Sequence, residues 1–534
     1  MHIRDHVNTA KPALVLHPSG QSVDFAELDR AANRLAHAFR GAGLREGDVI
    51  AVLMENNVHI HSFMWAARRA GLYYALINTR LTAAEAAYIV DDSGAKAVIG
   101  SSATRAVCEA LADHLTNGLP AVRFLVDDDL PGWDRYPEVV AGQPATAIAD
   151  EREGELLQYS SGTTGRPKGI VRPLSHLSPA AAPRLLTPLL DAMGITGDAV
   201  YLSPAPLYHT APSYWSMSLQ SLGATVVVME KFDPVEALAA IERHRVTHAQ
   251  FVPTMFVRML KLPKEIRARY NVSSLQRVVH AAAPCPVEIK RQMLQWWGPI
   301  IDEFYSSSEG AGTSFITAAE WLAHPGSVGR PLVGTPHILG DDGKELPPGK
   351  AGDIYYEGGL SFTYLNDEQK TAAGRNRRGW VTVGDVGYLD EDGYLYLTDR
   401  RHHVINSGGV NIYPRETEDI LITHPRVMDA AVFGIPDAEL GQIVKAVVQP
   451  VYITDATAEF GEELMVWLQA RLARYKCPRS ISFEAQLPRS DAGKLYKQEL
   501  VQRYSSGAAS SAPATGRQSR RLAAIRRRCR LGEP

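Results

Sequence analysis

The sequence predicts an α/β protein, with a large N-terminal domain of wound α/β sheets plus a β-rich subdomain and a small α+β C-terminal domain. Three observations carry that expectation. Helical and strand patterns alternate over the first 130 residues, as a wound sheet requires. The texture turns β-rich from Gly352, and the segments beyond Asp399 suffice for one small α+β unit. At 534 residues the chain also exceeds what a single core usually organises.

The elements follow in order. Phe25, Leu28, Ala32, Leu35 and Phe39 recur at helical spacing behind Asp24 and Glu27, which form a capping-box pattern, and Gly41 and Gly43 close the segment. The stretch 49–53 reads as a buried strand. Thr82 and Glu85 start a second helix, and 95–99 and 121–126 read as strands. Further strands are expected at 199–202, 224–229, 248–252, 277–280 and 300–305, with a helix at 235–243 among the segments between them. The run YLDEDGYLYL from 388 alternates around Asp392-Gly393, a hairpin signal. Beyond it, helices near 415–422 and 462–472 and strands near 429–433 and 444–448 complete the small domain. A boundary is placed near Arg400, and the Ser/Ala/Arg-rich stretch 505–534 reads as a solvated tail.

The run YSSGTTGRPKGI at 159–170 follows an apolar strand-like segment and concentrates anion-binding chemistry. Gly162 and Gly165 let backbone N–H groups turn toward an anion. Ser160, Ser161, Thr163 and Thr164 can donate hydrogen bonds, and Lys168 adds a point charge. A P-loop would end Gly-Lys-Ser/Thr, whereas here Pro167 precedes Lys168 and Gly169 follows it. A nucleoside triphosphate is therefore expected, held by a different motif.

Composition narrows the class. With 45% hydrophobic and 22% charged residues the chain is typical of a globular protein. No apolar run approaches the roughly 18 residues that cross a bilayer, and the N-terminal residues lack the apolar core of a signal peptide, so a cytoplasmic protein without an integral membrane segment is expected. Cys108, Cys285, Cys477 and Cys529 are too far apart for a metal or disulfide framework. The net charge of −3 conceals seven arginines in the last thirty residues; the rest holds 49 basic against 58 acidic residues, which argues against a nucleic-acid partner.

The phosphate loop is joined by FYSSSEG at 304–310, GSVGRPLVG at 326–334, TVGDVGYLDEDGYLYLTDR at 382–400, INSGGVNIYPRETE at 405–418 and LPRSDAGKL at 487–495. In these motifs and their order the chain resembles the adenylate-forming (acyl-CoA synthetase / AMP-binding) superfamily, acyl-CoA ligase branch, over nearly all of residues 10–504. The resemblance implies ATP, Mg²⁺ and CoA, and a carboxylate that attacks the α-phosphorus of ATP. Glu309, with Thr163, is the implied metal ligand, Ser308 the α-phosphate contact, Tyr305 the adenine platform and Asp385 the acceptor of both ribose hydroxyls. Arg400 is the implied ribose-side arginine before the hinge, and Lys494 the ammonium that swings onto the reacting carboxylate. Ser407, Gly408 and Gly409 are implied to line a pantetheine tunnel, Lys476 and Arg479 to face CoA phosphates, and His209 to gate the acid site. The same resemblance divides the chain into 1–399, a hinge at 400–402, a mobile domain at 403–504 and the tail. A homodimer is compatible with it.

Four departures from the family pattern stand out: Ser306 for glycine, Ser308 for threonine, Val383 for threonine, and the RRHH run at 400–403, which puts His402 at the hinge. An imidazole there titrates near neutrality, so a pH-sensitive alternation is expected. Phe251, Val252, Met255, Ala281, Ala282, Ala283, Tyr214 and Trp215 suggest apolar surroundings for the acid, and the YHTAPSYWSM segment offers no aspartate for an α-amine. A fatty or other apolar carboxylic acid is expected as substrate. An acyl-AMP ligase loading a carrier protein and a nucleotide-binding pseudoenzyme are the alternatives; the short spacing from Gly329 to Asp353 disfavours the first, and intact Lys168, Glu309, Asp385 and Lys494 disfavour the second.

Overall fold

A computed structural model of the chain describes residues 2–160, 167–490 and 493–506. The described residues divide into two compact units, one of Met1–His402 with Ser490–Lys494 and one of His403–Arg489 with Leu495 onward. Ser161, Gly162, Thr163, Thr164 and Gly165 lie outside the described residues, as does the arginine-rich tail with Cys529. Cys108, Cys285 and Cys477 are buried as thiols.

The large unit is α/β, as expected. Its first half builds a six-stranded sheet in the order Asp134–Arg135, Val122–Leu125, Ala97–Gly100, Val49–Leu53, Tyr73–Leu76, Glu155–Leu156, every neighbour parallel. Both capping boxes form: the Asp24 side chain accepts from Glu27 N–H ahead of helix Phe25–Gly41, and Thr82 accepts from Glu85 N–H ahead of Ala83–Ser93. The apolar face of the first helix packs Phe25, Leu28, Ala32, Leu35 and Phe39 into the main core with Phe63 and Trp65. Each Leu or Phe side chain among them contributes roughly 1.5–3 kcal/mol when removed from water.

The second sheet decides where chemistry can happen. Ile301–Ser306, Arg277–His280, His248–Phe251, Val200–Ser203, Thr225–Met229 and Pro12–His17 lie side by side and parallel. Antiparallel strands, including Thr313–Ile316, Ser327–Val333, Leu395–Arg400, Asp385–Leu389 and Gly352–Glu357, extend the sheet beyond Ile301–Ser306. The hairpin around Asp392-Gly393 closes through the longer loop Asp390–Tyr394, in which Asp390 Oδ1 accepts from the N–H groups of Asp392 and Tyr394. A three-stranded sheet joins Gln158–Ser160, Lys168–Val171 and Thr363–Tyr364. Lys168 therefore opens a strand, in register with Ser160.

The small unit is α+β. Helices Pro414–Ile422 and Ala458–Gln469 cover one face of its five-stranded sheet, burying Leu421, Val432, Val444, Phe460, Leu464 and Leu468. Helix Lys497–Ser506 covers the other with Leu500 against Phe433 and Val447. Val432 and Phe433 enter opposite cores because successive strand residues face opposite ways.

One part of the large core was not legible as such. Lys290, fully buried, donates to Glu303 Oε2 at 2.8 Å and lies 4.7 Å from the Trp321 ring, while the buried His280 ring comes within 3.2 Å of the same carboxylate. Burial opposes ionisation of Glu303, but His280 and Lys290 prevail and hold it well below the carboxylate range. Removing one partner strands the other charge in the core. Lys290→Met is expected to cost the large unit roughly 3–5 kcal/mol. Urea denaturation checks this: the double variant Lys290→Met/Glu303→Gln should regain much of the loss, and equal midpoints for single and double variants would contradict the pairing.

Candidate active site

Sheet order assembles the site. In open parallel sheets, ligands bind outside the carboxyl ends of the strands. Here Ile301–Ser306 runs out into Ser308 and Glu309, Arg277–His280 into Ala281–Ala283, His248–Phe251 into Val252 and Thr254, and Val200–Ser203 toward His209. Four stretches far apart in sequence meet at one edge because their strands are neighbours.

Antiparallel pairing adds the next layer. Asp385 and Arg400 are cross-strand partners, and Arg400 Nε lies 3.2 Å from Asp385 Oδ1. The Tyr305 hydroxyl donates to Asp385 Oδ2 at 2.6 Å. Burial and the Asp385 charge raise the Tyr305 pKa far above the ordinary phenol value, so it remains a donor. The ring expected to carry adenine and the carboxylate expected to bind ribose are thus one hydrogen-bonded unit.

Glu309 accepts from the Tyr364 hydroxyl at 2.8 Å. Ser308 Oγ lies 2.9 Å from Thr210 Oγ1, and its carbonyl accepts from Arg172 Nη2 at 2.6 Å. Thr210 begins a helix whose preceding residue is His209, so the His209 backbone segment adjoins the FYSSSEG motif. Arg172 is buried; it also donates to Tyr214, whose hydroxyl bonds Glu155. This corrects the reading of Tyr214 as apolar wall, since its hydroxyl sits inside a charged network. Phe251 packs on Phe256 and Trp297, and Trp215 stacks on Tyr201.

The Lys168 ammonium lies 2.9 Å from Asp367 Oδ2, and that contact holds Asp367 below its ordinary pKa. Lys370 Nζ sits 4.3 Å from the Tyr364 ring centre. Tyr364, Asp367, Lys370 and Arg172 were missed from sequence. The available signals were the Asp367-x-x-Lys370 helix start and an arginine ending an apolar strand.

The turn bearing Lys494 belongs to the large unit. Gly493 has φ 81°, and a β-carbon there would fall 2.6 Å from Thr254 Oγ1, so both conformation and space demand glycine. Lys494 is open to solvent on one side, yet surrounding protein withholds enough water to lower its pKa to about 8. The Arg400 charge pushes the same way, Glu309 and Asp385 oppose it, and Lys370 adds a smaller push down. Glu309, Asp385, Arg400 and Lys494 thus share one electrostatic neighbourhood.

In the small unit, Gly408 and Gly409 form a two-residue hairpin between Ile405–Ser407 and Val410–Ile412, with φ 59° and 83°. Positive φ at both positions already accounts for the pair. Lys476 is engaged by Glu416, at 2.8 and 2.6 Å to its two oxygens.

Among the described residues no three His, Cys, Asp or Glu side chains gather as a ligand set. A single carboxylate such as Glu309 nevertheless suits Mg²⁺, which keeps several waters and takes the rest of its shell from substrate phosphates. The residues fit that ion.

Residues 4–363 match the AMP-binding enzyme family, and residues 416–494 match the AMP-binding enzyme C-terminal domain. The chain is 32% identical over 495 residues to feruloyl-CoA synthase of an Amycolatopsis species, covering 92% of this chain and 96% of that one. It is 29% identical over 486 residues to the long-chain-fatty-acid–CoA ligase FadD13 of Mycobacterium tuberculosis, covering 90% and 93%. The crystal structure of ATP-bound MatB from Rhodopseudomonas palustris superposes with a TM-score of 0.79 at 27% identity, covering 95% of this chain and 99% of that one. No helix among the described residues is long and apolar enough to cross a membrane. Motif order, strand-end geometry and similarity over almost the whole length agree, and the chain belongs to the AMP-binding enzyme family, as an AMP-forming acid–CoA ligase type of enzyme.

Proposed function

We propose that the protein adenylates a fatty or other apolar carboxylic acid with ATP and transfers the acyl group to CoA, releasing AMP and pyrophosphate. The observation that carries this reading is the convergence of Lys494 with Glu309, Asp385 and Arg400. Two anions must be brought together before the carboxylate can attack phosphorus, and charge then builds on the leaving pyrophosphate. Fixed cations stabilise that charge without reorganising at the moment of reaction.

In this reading the Asp385 carboxylate takes the ribose hydroxyls, oriented by Arg400 at Oδ1 and by the Tyr305 hydroxyl at Oδ2. Tyr305 presents its ring to adenine, and Ser308 meets the α-phosphate, its backbone fixed by Arg172. Lys168 at the loop end takes a phosphate oxygen, and Lys494 bridges the carboxylate and the α-phosphate. Mg²⁺, when bound, would neutralise phosphate charge, and Glu309, oriented by Tyr364, would hold it. Ser160, Ser161, Gly162, Thr163, Thr164 and Gly165 would supply the phosphate loop, and His209 would stand at the acid entrance. The small unit's Gly408-Gly409 turn would meet pantetheine. Apolar Val252, Met255 and Ala281 at the strand ends support an apolar acid, as do the feruloyl and long-chain fatty acyl groups in the relatives' names.

Incubation with ATP, Mg²⁺, CoA and a pool of carboxylic acids, followed by mass identification of thioesters, tests the proposal. One AMP should appear per thioester, carried by an apolar acid; ADP release, or no thioester from any acid, would overturn it. Lys494→Ala should lower acyl-adenylate formation about 10²–10³-fold while leaving thioester formation from supplied acyl-adenylate nearly intact. Unimpaired pyrophosphate exchange in that variant would remove Lys494 from the reaction. Because the reaction needs the ammonium, kcat/KM for ATP should be full below the lowered pKa and decline as pH rises through about 8. Lys494→Arg should shift that decline out of range, since guanidinium stays charged.

A further inference from the structure

The stretch from Thr363 to Lys370 reaches the nucleotide site through three separate contacts, and one side chain in it has no role in the function proposed above. Asp367 caps helix Glu368–Ala373: its Oδ1 accepts from Lys370 N–H at 2.9 Å while its Oδ2 holds the Lys168 ammonium, also at 2.9 Å. A single carboxylate therefore ties the start of this helix to the last residue of the phosphate motif's charge, Lys168. The backbone is fixed as well, because Thr363–Tyr364 pairs with Ile170 and Val171 of the same strand.

That frame sets the direction of Lys370. Its ammonium lies over the Tyr364 ring, whose hydroxyl bonds Glu309, so it is drawn toward Glu309. Lys168 holds Oδ2 of Asp367 while the Lys370 N–H holds its Oδ1, so both lysines are anchored to one carboxylate. Burial and the Lys168 charge both push the Lys370 pKa below its ordinary value, and Glu309 and Asp367 pull the other way. The Lys370 charge is also felt at Lys494. Like-charged ammonium groups anchored about the same carboxylate repel each other. A polyanion entering between them converts that repulsion into attraction at both.

We propose that Lys370 is a second phosphate-binding ammonium of this site, which together with Lys168 contacts the β- and γ-phosphates of ATP and then the departing pyrophosphate. AMP lacks those groups and gains nothing from Lys370. A lysine serving only to cover Tyr364 would treat all nucleotides alike, so the comparison of ligands separates binding from packing.

Titration calorimetry with ATP, pyrophosphate and AMP, each with Mg²⁺, on the full chain and on Lys370→Ala and Lys370→Arg tests this. Lys370→Ala should weaken ATP and pyrophosphate about tenfold, the scale of one charge-assisted hydrogen bond, and leave AMP within about twofold of the unaltered chain. Lys370→Arg should restore most of the loss. Equal weakening of AMP and ATP, or unchanged ATP and pyrophosphate, would overturn the assignment. The inference rests on the adenylating reading, yet the two fail separately. Absence of AMP release with every acid removes that reading, whereas the binding comparison decides Lys370 without turnover.

Discussion

Unlike and like charges compete for a small space at the carboxyl ends of the parallel strands, and the arrangement of the site follows from how that competition is balanced. Lys168, Lys370, Arg400 and Lys494 face Asp367, Asp385 and Glu309. Each cation there is restrained by a carboxylate or depressed by its surroundings; at Lys494 burial lowers the pKa most and the Arg400 charge adds to it. Such a site holds an excess of positive charge that a polyphosphate is suited to cover, because a low-dielectric setting strengthens every fixed charge around it. Under the proposed function that excess is what draws ATP and the acid together.

The sheet gives this electrostatics its precision. Parallel strands deliver Ser308 and Glu309 beside the Ala281–Ala283, Val252 and His209 segments. Antiparallel strands then lock Asp385 to Arg400 by register and bring Tyr305 onto Asp385. Residues carried on paired strands lose little further freedom when a ligand arrives, which makes their positions reliable for catalysis. The Lys494 turn is different in kind: it is held by a close approach of Gly493 to Thr254, which only glycine allows.

Buried support extends below the reacting groups. Arg172 fixes the Ser308 carbonyl and is itself tied to Glu155 through Tyr214. Lys290, His280 and Glu303 form a second buried charged set beneath the strand ends. Ionised groups in a core are costly unless paired, and here Lys290, reaching from helix Val287–Trp297, pairs with Glu303 on its strand and meets that cost. The apolar composition around Phe251 and Ala281 concealed these charged residues, because partners far away in sequence pair them.

The amino-acid sequence alone determined the features whose bonds close over a few residues. The Asp24/Glu27 and Thr82/Glu85 caps and the alternation of strands with helices form as expected. Motif order likewise made the family legible, because several motifs in one order are far more specific than any one of them. Tertiary structure alone decided which charges meet. Lys168 finds Asp367 199 residues away and Tyr305 finds Asp385 80 residues away. The same sheet geometry brings Tyr364 to Glu309. Those pairings depend on strand order and register, which are set by the burial of whole sheets, and no local pattern around a lysine states which carboxylate the fold will place beside it.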